Sequence, residues 1–284
     1  MGIDIAHLRE WIGKTETATD QITPQPMAAL GATLDIEASQ PPAGAAVPPL
    51  WHWLYFLDPH KLSDLAPDGH AKLGAFLPPI PLPRRMWAGG RFEFTHPLRV
   101  GATYTRTSTI QDIQHKVGRS GELVFVVIRH EIGDEHGVAL SEEQDLVYRE
   151  EAKPGESSRP AGAAATEAEW ERVVQPSDVL LFRYSALTFN AHRIHYDRRF
   201  AMEAEGYPGL VVHGPLIATL LLDLLRRNMP AANVARFEFR AVSPLFDTAA
   251  FTLRGRREDS GKTVSLWAAG PGNALAMTAS ALIG

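Results

Sequence analysis

The chain has 284 residues, 45% of them apolar, with 28 lysines and arginines against 33 aspartates and glutamates for a net charge of −5. That is enough apolar material for one large domain or two compact ones, and the mixed charges exclude the basic stripe with which nucleic-acid-binding proteins neutralise phosphates. No cysteine is present, which excludes disulfides, thiolate zinc sites and a cysteine nucleophile, and fits a reducing compartment.

The first residues, MGIDIAHLREWIGK, lack the basic start and apolar stretch of a secretory signal, and Ala6 stands where a myristoylation site needs Ser or Thr. A cytoplasmic protein is expected. Segment 37–51, rich in Ala and Pro, reads as a long loop leading into Trp51, Trp53, Tyr55 and Phe56, which need burial. Strand-like segments follow at 91–98, 102–116, 121–134 and 142–150, with a hairpin turn at 118–121. Between 150 and 170 the chain is rich in Ala, Gly, Pro and Ser and poor in large apolar residues, the composition of a linker. This divides the chain into a first domain at 1–150, a linker at 151–168 and a second domain at 169–284.

The second half carries TFNAHRIHYD at 188–197, three proton-capable or polar side chains in six residues. Asp197 is placed to cap a helix over 198–206. The longest apolar run, 209–225, is broken by His213 and Asp223 and falls short of the roughly 20 residues that span a bilayer. It predicts a buried helix over 213–227. Strand-like segments return at 233–245, 248–258, 262–270 and 274–284. Phe-Glu-Phe occurs at 92–94 and again at 237–239, each followed by Pro-Leu, so two copies of a helix followed by an antiparallel meander are expected, an α+β architecture.

These features resemble the MaoC-like hydratases and dehydratases of the hot-dog fold. The carrying residues are MWAGGRFEF (86–94), PLRVGATYTRTSTI (97–110), KVGRSGELVFV (116–126) and EEQDLVYRE (142–150) in the first half, then FRYSALTFNAHRIHYD (182–197) and EGYPGLVVHGPLIATLL (205–221). The resemblance implies a double hot-dog whose first half is degenerate and whose second half holds one active site. It also implies a hydro-lyase that adds water to an enoyl-CoA without metal or cofactor. The second half is similar to the subgroup acting on itaconyl-CoA and mesaconyl-C4-CoA, branched C5 dicarboxylyl thioesters hydrated to citramalyl-CoA. The family motif runs Asp, Asn two residues later, then Pro-Leu-His. With its His on His195, Asn190 stands for the Asp, His192 for the Asn and Arg193 for the Pro.

The chemistry needs a base for water, a proton for the α-carbon and donors for the enolate oxygen. His195 is the expected acid/base, since an imidazole exchanges protons near neutrality. Asn190 would hold the water, and His192 would assist or merely position. The Gly214 N–H, at the first turn of the predicted helix, is the expected oxyanion donor. Arg183 and Arg193 are candidates for a distal carboxylate, and His213 for the acyl pocket. Arg84, Arg85, Arg198 and Arg199 are candidates for the CoA phosphates, while Trp87, Gly89 and Gly90 are candidates for the pantetheine tunnel. Other readings stay open: a metal held by His192, His195 and Asp197, a fatty-acid-type 3-hydroxyacyl-thioester dehydratase, a thioesterase, or a non-catalytic acyl-CoA binder. Exposed sheet edges would favour a homodimer.

Overall fold

The computed structural model of the chain describes residues 2–36, 40–118, 121–150, 162–258 and 261–284. The tip of the expected hairpin at 119–120, three residues of the loop at 37–39 and most of the expected linker, 151–161, lie outside the described residues.

A helical turn α1 (Ile5–Arg9), an edge strand β1 (Thr15–Gln21) and helix α2 (Pro24–Thr33) come first. Next, after a stretch whose described residues hold two short 3₁₀ turns, come β2 (Arg84–Phe94), β3 (Thr103–Gly118), β4 (Gly121–Asp134) and β5 (Gly137–Arg149). The second half repeats the order with β6 (Trp170–Val174), α3 (Asp178–Leu187), α4 (Gly214–Asn228), β7 (Val234–Ala241), β8 (Phe251–Arg257), β9 (Thr263–Ala269) and β10 (Leu275–Ile283). The ten strands among the described residues form one antiparallel sheet in the order β1-β3-β4-β5-β2-β7-β10-β9-β8-β6. Each half therefore has the same internal order, and the two meet at β2 and β7.

That seam explains the repeated phrase. The repeat is in fact Arg-Phe-Glu-Phe, at 91–94 and 236–239. Antiparallel pairing sets Phe92 opposite Phe237, Arg91 opposite Glu238 and Glu93 opposite Arg236, the last pair within 3.1 Å. A copy of this phrase is complementary to itself when it runs antiparallel, because opposite charges face each other while the phenylalanines share the inner face. Gly89 and Gly90 serve the same seam. A Cβ on Gly89 would come within 2.8 Å of the Phe239 carbonyl, and one on Gly90 would press on the Phe92 and Phe239 rings. Neither glycine lines the cavity described below, so they are not part of a tunnel wall.

The core sits under α4. Every residue from Leu216 to Leu225 is buried, as expected of a helix apolar on all sides. Asp223 is the exception in chemistry, and three arginines meet its carboxylate: Arg172 and Arg227 at 2.7 Å, and Arg226. The first half differs from the expected doubling. Among the described residues nothing in it matches α4. Its concave face is covered by the irregular 40–83 stretch, with Trp51, Leu54, Tyr55 and Phe56 buried in the same core as Phe92, Tyr104, Ile132 and Leu140. No described helix is long and apolar enough to cross a membrane. The expected helix at 198–206 is a single π-helical turn, Phe200–Ala204.

Candidate active site

A cavity of about 1900 Å³ lies between the 40–83 stretch of the first half and the α3–α4 region of the second. Asn190, His192, His195 and Gly214 all line it. Its reactive end starts from a 3₁₀ turn at Arg193–His195, which turns the His195 ring inward. Nδ1 of His195 lies 2.7 Å from the Val211 carbonyl. A carbonyl only accepts, so Nδ1 carries the proton and Nε2 keeps its lone pair for the cavity. Burial holds the His195 pKa down to about 4, so the ring is neutral at physiological pH.

Asn190 Oδ1 accepts the His192 backbone N–H at 3.0 Å, which leaves the Asn190 amide hydrogens as its available donors. Gly214 is the first residue of α4, where a backbone N–H has no intrahelical acceptor and carries the positive end of the helix dipole. Its lack of a side chain is not forced by crowding, since a Cβ would meet nothing closer than the Trp87 carbonyl at 3.8 Å.

Three expected binding residues stand elsewhere. His213 is almost wholly buried and absent from the cavity wall. It stacks behind His195 with ring centroids 3.8 Å apart, and its Nε2 meets Ser185 Oγ at 2.8 Å. Burial, then the neighbouring His195 and His192, hold its pKa well down. It is a packing partner of the His195 ring and does not line the cavity. Arg183 is exposed on α3 and does not line the cavity. Arg193 is committed to Asp197 at 2.7 Å, to the Pro67 carbonyl at 2.9 Å and to the face of Phe200. Asp197 also accepts the Phe200 N–H at 3.0 Å, capping the π-helical turn. Arg198 and Arg199 are paired with Asp247 and Glu203.

Lys72, Arg106 and Arg149 line the cavity, as do two arginines of β2, Arg84 and Arg85. Arg84 is paired with Glu205 at 3.1 Å. Arg85 lines the cavity without a carboxylate partner among the described residues, and its charge helps to depress both His70 and His192. Trp87 lines the cavity too, its Nε1 donating to the Gly89 carbonyl at 2.9 Å.

Asp68 and His70 join the site from the first half and were missed in the sequence. Arg193 N–H donates to the Asp68 carbonyl at 2.9 Å, and Gly69, at φ +92°, packs so closely that a Cβ would fall 1.8 Å from the Ala191 carbonyl oxygen. This docking brings the His70 ring to 3.9 Å from that of His192, which is 5.4 Å from His195. Asp68 Oδ2 accepts from His70 Nδ1 at 2.7 Å. Burial would raise the Asp68 pKa, but the hydrogen bond and charge of His70 outweigh it and hold the carboxylate ionised. His70 itself is lowered by burial and Arg85 and raised by Asp68. His192 is brought down to about 2 by burial and by His70 and His195 beside it. Ligand atoms of Asp68, His70 and His192 lie within 4.8 Å of one another, a spacing open to a divalent ion, although Nδ1 of His70 is engaged in a hydrogen bond. His192, His195 and Asp197 do not form such a group. A second pair, His52 with Glu142 at 2.9 Å, is buried on the first-half wall. Trp53 Nε1 donates to the same carboxylate, so the group ties the 40–83 stretch to β5.

A doubled, helix-wrapped antiparallel sheet, with a neutral histidine beside a helix N-terminus in the wall of a large cavity, defines a double hot-dog protein of the hydratase and dehydratase class. Residues 50–247 match the family model described as hydroxyacyl-thioester dehydratase type 2, and the chain belongs to that family. It is 46% identical to the mesaconyl-C4-CoA hydratase of Chloroflexus aurantiacus over 96% of this chain and 97% of that one. It is 31% identical to the mitochondrial hydroxyacyl-thioester dehydratase type 2 of Schizosaccharomyces pombe, over 70% and 74%. Among solved structures, a MaoC-like dehydratase from Phytophthora capsici superposes over 99% of both chains with a TM-score of 0.70 at 14% identity. A Mycobacterium tuberculosis protein described as a double hot-dog covers 96% of each with a TM-score of 0.57, also at 14% identity. These two likenesses concern the fold alone.

Proposed function

We propose that this chain adds water reversibly to a branched C5 dicarboxylyl-CoA of the mesaconyl-C4-CoA or itaconyl-CoA type, giving citramalyl-CoA. The observation that carries the reading is the His195 tautomer, because a neutral imidazole with its lone pair toward the cavity is the base that water addition requires. Water held by the Asn190 amide donates a proton to Nε2 as its oxygen bonds to the β-carbon. The thioester oxygen, gaining charge, is met by the Gly214 N–H, a contact of a kind typically worth about 2.7–4 kcal/mol.

The dicarboxylyl preference is supported by the 46% identical relative and by Arg85. A cation lining the cavity without a carboxylate partner among the described residues, beside His70 and His192, suits a carboxylate at the far end of a short acyl chain. A fatty-acid-type substrate would bring an apolar tail to that charge and leave it buried and unpaired.

The test is water addition to mesaconyl-C4-CoA, itaconyl-CoA, crotonyl-CoA and octenoyl-CoA in parallel, followed by mass spectrometry. Fast hydration of the two dicarboxylyl thioesters is expected. Preference for octenoyl-CoA would move the assignment to the fatty-acid type. Binding without turnover of any would make the chain an acyl-CoA binder, and release of free thiol would make it a thioesterase.

A further inference from the structure

Hydration needs a proton for the α-carbon, and position 190, where the family motif carries a carboxylate, holds a carboxamide that cannot exchange one. A carboxylate nevertheless stands in the site, delivered from the other half of the chain. Asp68 accepts from the His70 backbone N–H at 3.0 Å and from its Nδ1 at 2.7 Å. With Nδ1 donating, the His70 Nε2 is the atom left to exchange a proton. Four imidazoles lie in a row, His70, His192, His195 and His213, with successive centroid separations of 3.9, 5.4 and 3.8 Å. Two charged rings in contact repel, so the row does not hold two protons together. Burial lowers the pKa of all four rings, and only the His70 end is backed by a carboxylate, so a proton that enters the row during turnover is held best there.

We propose that His70, oriented by Asp68, is the second proton-transfer residue of this site, giving the α-carbon its proton. The inference rests on the hydratase reading. His195 Nε2 takes a proton from water while the water oxygen bonds to the β-carbon, and the electron pair of the double bond moves into the enolate. The enolate then re-forms the thioester carbonyl as its α-carbon takes the proton from Nε2 of the His70 imidazolium. His195 is left protonated and His70 neutral. One proton passes back between them through His192, so each turnover consumes only water. The groups facing His70 are Asp68 on its own loop, Arg85 on β2, and His192 and His195 on the catalytic turn. A substrate carboxylate on Arg85 would cancel the one cation that opposes protonation of His70. Asp68 acts through His70 and is a positioning residue.

The experiment measures kcat and KM for mesaconyl-C4-CoA with the wild type, His70→Ala, His70→Gln, Asp68→Asn and His195→Ala, alongside unfolding midpoints. His70→Ala is expected to lower kcat by about 10²–10⁴ with KM within about threefold of wild type. Added imidazole is expected to recover about tenfold or more of that loss, which no purely structural role of His70 would allow. His70→Gln, which keeps a donor for Asp68, is expected to hold the wild-type unfolding midpoint and remain slow. Asp68→Asn is expected to lower kcat by about tenfold or more without raising KM. An active wild type whose His70→Ala variant keeps kcat within about threefold, while His195→Ala is dead, would overturn this role and leave the hydratase reading standing. The role is overturned in the same way if imidazole restores nothing, or if chelation abolishes wild-type activity and Zn²⁺ restores it, since the cluster would then be a metal site. A wild type that hydrates no thioester would remove both readings together.

Discussion

Replacing Gly69 with alanine tests whether the first half builds the reactive end of the cavity. The new Cβ would lie 1.8 Å from the Ala191 carbonyl oxygen and 2.8 Å from its carbon, where ordinary contact begins near 3.4 Å. Both neighbours are backbone, so the loop must retreat by about 1.5 Å instead of turning a side chain aside. That retreat stretches two hydrogen bonds now at 2.9 Å, from Arg193 to the carbonyls of Asp68 and Pro67, each worth about 1 kcal/mol. The left-handed φ of +92° adds about 1–2 kcal/mol for any residue with a Cβ. A stability loss of about 3 kcal/mol is expected by urea unfolding. Since displacement of about 1 Å near the chemistry can cost about 10²-fold, kcat for mesaconyl-C4-CoA is expected to fall by about that factor, with a smaller change in KM. An alanine variant with wild-type kcat and an unchanged unfolding midpoint would refute the docking of this loop as a condition for activity.

Removing the charge of Arg85 by Arg85→Met is expected to raise KM for a dicarboxylyl-CoA by about 10–100-fold, the worth of a charged hydrogen bond, while KM for crotonyl-CoA, which has no second carboxylate, changes little; parallel steady-state kinetics decide it. Acid stability follows from the buried histidines. The His195 pKa falls from 6.5 to about 4 on folding, so the unfolded chain binds the extra proton, and stability is full above pH 6.5 and lost as pH drops toward 4. This one ring contributes about 3 kcal/mol, and His70, His192 and His213 shift in the same direction, so the urea midpoint at pH 5 is expected well below that at pH 7.5. Asp223→Ala is expected to cost about 3 kcal/mol by removing the partner of three arginines under the core helix, with kcat unchanged at a temperature where the variant stays folded.

The parts of the fold that were legible in the sequence are those with strong local physics. The 209–225 run is apolar on every side and became α4, and the repeated Phe-Glu-Phe marked the two seam strands. Strand β4 alternates buried and half-buried residues from Val124 to Ile128, and β3 buries Tyr104, Ser108, Ile110 and Ile113 between more exposed neighbours. The edge strands were invisible for the converse reason. TETATDQ in β1 is polar except for Ala18, and WERVV in β6 is only five residues long, and each is paired on one side only. The missing first-half helix could not be seen, since Trp51 to Phe56 look as ready for a helix as for a buried loop.

Within the site, Asn190, His192, His195 and Gly214 could be picked out because they lie in one motif and its following helix. Asp68 and His70 are more than a hundred residues away, in a stretch whose only hint was a glycine between an acid and a histidine. Arg183 and Arg193 lie closest to the motif in sequence, whereas Arg85 stands far upstream of it and lines the cavity. In space, the Arg193 guanidinium is already held by Asp197, Pro67 and Phe200.

The most direct measurement is the rate of water addition to mesaconyl-C4-CoA by the wild type and by His195→Ala under identical conditions. Rapid hydration that falls by about 10²–10⁴ in the variant, with the fold intact by circular dichroism, is the expected result. A His195→Ala protein that hydrates the thioester at the wild-type rate would contradict the assignment of the neutral, Val211-anchored imidazole as the base.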